Sequence, residues 1–158
     1  MSDLIDLYLN SSSSVSIVTL VELSHPSFNR TFRYQYFDDD GLSVNGKFFD
    51  YAPFNLSKPN VSTDLNQTYN LTITDYEDEL VNAFKSISDD TPMLLDVHEF
   101  RSDILTNPLE STVGLFVSKL SKDESGKVTF EATPKQINNT QTGESYDLNK
   151  YPLLRGTT

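Results

Sequence analysis

Between Asn66 and Pro92 the spacing of apolar positions changes once, and the change separates a strand from a helix. Tyr69, Leu71 and Ile73 alternate with Asn70, Thr72 and Thr74, the period of two of a half-buried strand. After Asp75 the apolar residues are Leu80, Val81, Phe84 and Ile87, which share one face only at helical spacing. Asp75 is placed to accept an orphan amide as N-cap. Glu77, Asp78 and Glu79 complement the positive end of the helix dipole, and Lys85 the negative end. Ser88–Pro92 stops the helix, and a further strand pattern begins at Met93.

The same reading extends along the chain. Residues 1–14 form an N-terminal arm, with Leu4, Leu7 and Tyr8 on one face and Ser11–Ser14 as a hinge. Val15–Leu23 is the strongest strand. Val15, Ile17, Val21 and Leu23 lie on one face, and Val18 and Leu20 on the other, which predicts a central position or a face packed against another subunit. Ser24–Ser27 ends it, with His25 at the strand end. Thr31–Phe37 alternates around Phe32, Tyr34 and Tyr36. Asp38-Asp39-Asp40-Gly41 then turns the chain into a hairpin partner over Leu42–Phe49, which has its own Asn45-Gly46 turn signal. Pro53 bars Asp50–Phe54 from a central strand, and Asn55–Asn66 reads as a loop or weak edge. Met93–Phe100 is a strand, and Ser111–Leu120 and Lys127–Thr133 form a hairpin across Asp123–Gly126.

These segments amount to about seven strands and one helix. The fold class is mostly β: a small antiparallel β-sandwich or split barrel, with one short α-helix closing an end and extended arms at both termini. Residues 15–135 form the β-rich domain and 136–158 an extended C-terminal tail. Ile17, Phe32, Leu71, Ile73, Leu80 and Phe84 are the expected core. Leu4, Leu7 and Tyr8, together with Tyr151, Leu153 and Leu154, are expected to be interface anchors, because apolar residues on arms need something to dock on.

Composition narrows the chemistry. A net charge of −11 disfavours phosphate backbones and anionic membrane surfaces as partners. With no cysteine, disulfides, thiolate metal sites and a cysteine nucleophile are excluded together. The first residues lack the pattern of a signal peptide, and no apolar run approaches bilayer length, so a soluble chain made and used outside the secretory pathway is expected. The seven N-x-S/T triplets then read as chance in an Asn- and Ser-rich chain. Asp38–Gly41 resembles part of a calcium loop but lacks the spaced acids and distal glutamate of an EF-hand. His25 and His98 have no ligand spacing, and no nucleophile elbow, S-x-x-K or P-loop is present. No catalytic residue, metal or cofactor is expected.

The order of segments carries a resemblance. Val18-Thr19-Leu20-Val21-Glu22-Leu23-Ser24-His25-Pro26 is followed by a strand, the acidic turn and Val44-Asn45-Gly46-Lys47-Phe48-Phe49. Tyr51-Ala52-Pro53-Phe54, Leu71-Thr72-Ile73, the helix Asp78–Ile87 and finally Tyr151-Pro152-Leu153-Leu154 complete the series. Over about residues 15–155 this series resembles a family of bacteriophage minor tail proteins, related in architecture to the lambda minor tail protein L and to tail-hub domains. The resemblance implies a virion structural protein of the tail tip, made in the bacterial cytoplasm. It would form part of a ring or hub, as a trimer or hexamer, between the tail tube, distal tail proteins and the receptor-binding apparatus. Two departures stand out: the family's closing glycine is Leu153 here, and the lambda protein's cysteine cluster has no counterpart. A non-virion assembly factor and a carbohydrate-binding sandwich, with Phe48–Phe54 supplying aromatic rings, are the alternatives.

Overall fold

The computed structural model describes residues 15–59, 67–75 and 77–135. Within them are nine strands: β1 (Ile17–Ser24), β2 (Phe32–Gln35), β3 (Leu42–Val44), β4 (Lys47–Tyr51), β5 (Phe54–Ser57), β6 (Tyr69–Thr74), β7 (Met93–Arg101), β8 (Glu110–Lys122) and β9 (Lys127–Thr133). One helix, α1 (Glu79–Lys85), lies between β6 and β7. The strands make a single sheet in the order β3-β4-β2-β1-β7-β8-β9-β6-β5. The class is mostly β with one short helix, as the alternation predicts. All pairings are antiparallel except β2 with β4.

That exception corrects one expectation. The acidic turn does not fold 42–49 back onto β2 as a hairpin. Instead the Gln35 side chain, fully buried, holds the turn from inside: its Oε1 accepts from the amides of Phe37 (2.6 Å) and Asp38 (2.8 Å). The chain therefore leaves the sheet, makes the β3–β4 hairpin by itself, and returns so that β4 runs parallel to β2. Within that hairpin Asn45 and Gly46 both have positive φ (51° and 78°), the backbone their sequence pair foretells.

The sheet curls because β8 carries one extra residue at each of two register shifts. Leu95 faces Leu115 while Val97 faces Thr112, so Val113 and Gly114 bulge; Gly114 takes φ 71°, and its amide donates to Asp96 Oδ1 at 2.7 Å. A second register shift sits between Val117 and Lys119. Bulges bend and over-twist the strand that holds them, and here they bring the β5 end round towards β1 and β7 without closing the sheet. The Tyr36 ring meets the Phe54 ring edge-on at 4.8 Å. Lys58, just past β5, pairs with Glu99 of β7 at 2.8 Å and Glu110 of β8 at 2.9 Å.

The inner face holds the main core: Val21, Leu23, Leu71, Ile73, Leu95, Leu115, Val128 and Phe130 are all essentially inaccessible. Helix α1 covers one end, burying Leu80 and Val81, with Phe84 and Ile87 packed alongside. Asp75 caps the helix from further back than its position suggests. Its carboxylate accepts from the amides of Glu79, Leu80 and Val81 at 3.1–3.2 Å, and Asp78 occupies the N-cap position in a left-handed conformation. Of the six expected core residues, Phe32, Leu71, Ile73 and Leu80 are buried and Phe84 is half-buried. Ile17 is 37% exposed and is not core: it is on the inner-face register, but β1 begins where the curled sheet gapes.

On the outer face, Val18 and Leu20 of β1 form a second, smaller core with Val44, Phe49 and Phe100, covered by the β3–β4 hairpin. Apolar residues on both faces of β1 thus reflect a central strand, paired with β2 on one side and β7 on the other.

Candidate interaction surfaces

Three features of the surface are built by more than one element. The first borders the outer core. Glu22 lies on the same face as Val18 and Leu20 and is buried, directly across from Arg33 in the β1–β2 register. Its carboxylate accepts from Arg33 Nε at 3.1 Å and from Lys47 Nζ at 2.9 and 3.2 Å. Burial alone would push the carboxyl pKa up, but the hydrogen bonds and charges of Lys47 and Arg33 outweigh it and hold Glu22 below its ordinary value. His98 completes the group, with Nδ1 at 2.9 Å from Ser111 Oγ and Nε2 at 3.9 Å from Glu22 Oε1. Serine, histidine and carboxylate stand in a row, but both carboxylate oxygens already serve two cations. At 3.9 Å, His98 Nε2 also lies beyond hydrogen-bond distance of that carboxylate. We read the cluster as an electrostatic fastening to β1, of the hairpin through Lys47 and of β2 through Arg33.

The second feature is the seam left by the incomplete curl. A cleft of about 500 Å³ runs between β5 and the starts of β1 and β8, lined by Ile17, Thr19, Phe54, Leu56, Lys58 and Glu99. Lys58 spans it. The hydrogen bonds from Lys58 to Glu99 and Glu110 raise its pKa although burial acts the other way, so the ammonium persists. β5 and β3 are the two edges of the sheet, and edges present unpaired backbone groups to whatever approaches.

The third is an apolar groove of about 470 Å³ on the outer face, at the β7 end opposite the small core. Pro26, Pro92, Leu94 and Phe116 line it, and Leu94 faces Phe116 across the β7–β8 ladder. His25 forms one wall and is held rigidly. Its Nδ1 accepts from the Ser27 amide and its Nε2 donates to the Thr91 carbonyl, both at 3.0 Å, with Asp89 Oδ1 3.4 Å from Nε2.

The anchors expected from sequence, Leu4, Leu7, Tyr8, Tyr151, Leu153 and Leu154, lie outside the described residues, as do both arms. The rings of Phe48–Phe54 are not a single platform. Phe48 (54% exposed) and Tyr51 fall on opposite faces of β4, and Phe49 between them is buried in the outer core. The Asp38–Gly41 stretch is a turn ordered by Gln35 and by the Asp40 amide on Asp38 Oδ1 (3.0 Å). Among the described residues, no group of three or more His, Asp or Glu side chains converges as a metal site would. The groove and the seam escape sequence reading because each draws on at least three distant segments. Only the paired prolines at 26 and 92, each just outside a strand end, hint at the groove. Compared with models of known protein families and with curated proteins, the chain gives no match.

Proposed function

We propose that this chain is a structural subunit of a bacteriophage tail tip, one member of a ring or hub between the tail tube and the receptor-binding apparatus. The serial order of segments that resembles minor tail proteins supports the assignment, and the observation that carries it further is the set of open surfaces. A sheet that curls without closing, with two edge strands unpaired among the described residues and an apolar groove, is suited to neighbour contacts. Edge strands accept strands from other chains, and large contiguous apolar patches mark contact sites more often than bare surface. Two different surfaces per subunit give heterologous contacts, which close into rings when the rotation permits. The strongly acidic surface limits adhesion to nucleic acid and anionic membrane during assembly. The carbohydrate-binding alternative loses its aromatic platform, since β4 divides Phe48 from Tyr51.

The test is immunogold labelling of purified particles by electron microscopy, with mass spectrometry of the same preparation. Gold at the distal end of the tail is the expected result. A chain abundant in infected lysate but missing from the particles by mass spectrometry would replace this reading with that of a non-virion assembly factor.

A further inference from the structure

We infer that the groove between Pro26, Pro92, Leu94 and Phe116 receives the segment Tyr151-Pro152-Leu153-Leu154 of a second copy of the chain. The lining is almost wholly apolar, and its volume is in the range of pockets that take several side chains. Charge selects the occupant. The segment reads Lys150-Tyr151-Pro152-Leu153-Leu154-Arg155, an apolar run with a cation at each end in a chain where acids outnumber bases 23 to 12. Asp89 stands beside the His25 wall of the groove, and Asp90, exposed, lies in the chain between it and Thr91 of the lining. An apolar slot with a carboxylate at its wall thus meets an apolar run edged by cations.

Chain geometry permits the contact. Thr133 pairs with Phe116, so β9 releases the C-terminal residues at the groove's own edge. The 136–150 stretch then gives a reach of up to about 50 Å, enough to cross to an adjacent subunit. Assignment to a second copy rests on the assembly reading above. Donor segment and acceptor groove are different surfaces, so each copy gives one and takes one, and the contact propagates head to tail.

Full-length protein and two full-length variants test this: Phe116→Asp in the groove, and Leu153→Asp with Leu154→Asp in the segment. Oligomeric state is read by light scattering after size exclusion across a concentration series. Wild type should associate as concentration rises, while each variant alone should stay monomeric with at least a tenfold weaker association. Denaturation midpoints confirm folding, and the segment variant carries the test by itself if Phe116→Asp does not fold. Mixed together, the two variants should give a one-to-one dimer and nothing larger, because one intact groove and one intact segment remain. A wild type that stays monomeric overturns the inference, as do variants that associate like wild type. A monomer whose groove loses hydrogen-exchange protection in the segment variant overturns it too, by showing that each copy fills its own groove. Particles that carry gold at the tail tip alongside any of those results leave the tail-tip assignment standing and remove only the groove.

Discussion

The two faces of the sheet bury apolar side chains in different ways. The inner core draws on seven strands' worth of alternation and the helix, and its central residues, such as Leu71, Leu95 and Phe130, are fully enclosed by the curl of the sheet. The outer core rests on five residues, two of them from a single hairpin, and that hairpin is held to β1 by the bonds of Lys47 to the buried Glu22 carboxylate as much as by Val44 and Phe49. Where enclosure is complete, dispersion and the hydrophobic effect suffice. Where a short hairpin covers a small patch, charge-assisted hydrogen bonds supply much of the hold and bring a dependence on pH and salt with them.

Substitutions can break this contrast in order of size. Phe130→Ala removes a ring from the centre of the inner core and should cost about 3–5 kcal/mol, measured by chemical denaturation. Phe49→Ala should cost about 3 kcal/mol, with a further signature: amide exchange in β3 and β4 should become faster than global unfolding allows. Equal protection across both faces would mean that the two cores open as one. Glu22→Gln should cost about 1–2 kcal/mol, because Arg33 and Lys47 are partly exposed and recover solvent when their partner weakens.

The pH dependence has a definite sign. Since the folded Glu22 pKa lies below its ordinary value near 4.5, its contribution is present above that pH and is lost as the pH falls through the folded value. Wild type should therefore lose more stability than Glu22→Gln between about pH 5 and pH 3, read from denaturation midpoints; parallel curves would rule out Glu22 as the source. The smallest effect is expected at Ile17, where truncation to Ala at the gaping seam should cost under about 1 kcal/mol.

How far the sequence foretells the structure depends on how local the deciding interaction is. β6, β7 and β9 follow from strict alternation, and the Asn45-Gly46 turn from a backbone preference of two residues. The double-sided burial of β1 is equally plain. The parallel return of β4 is not, because it turns on Gln35 satisfying two amides from a buried position, which no spacing reveals. Nor is the bulge at Gly114, whose glycine reads like any other until Asp96 is seen to hold its amide. Ile17 follows the inner-face pattern faithfully, and what exposes it is a failure of closure far away in the sheet. The six expected anchors remain a matter of sequence, while the groove proposed to receive three of them appears only when β1, β7 and β8 are side by side.

The central position of β1 also has a consequence in time. β2 emerges immediately after it, but its other neighbour is β7, paired from Ser24–Leu94 to Ile17–Arg101. A ribosome must add everything from His25 to Arg101 first, roughly 4–15 s at about 5–20 residues per second. For that interval the nascent chain carries a strand that is apolar on both sides and open along one edge. The features that make β1 the middle of the finished sheet make it the segment most in need of shelter while the protein is being made.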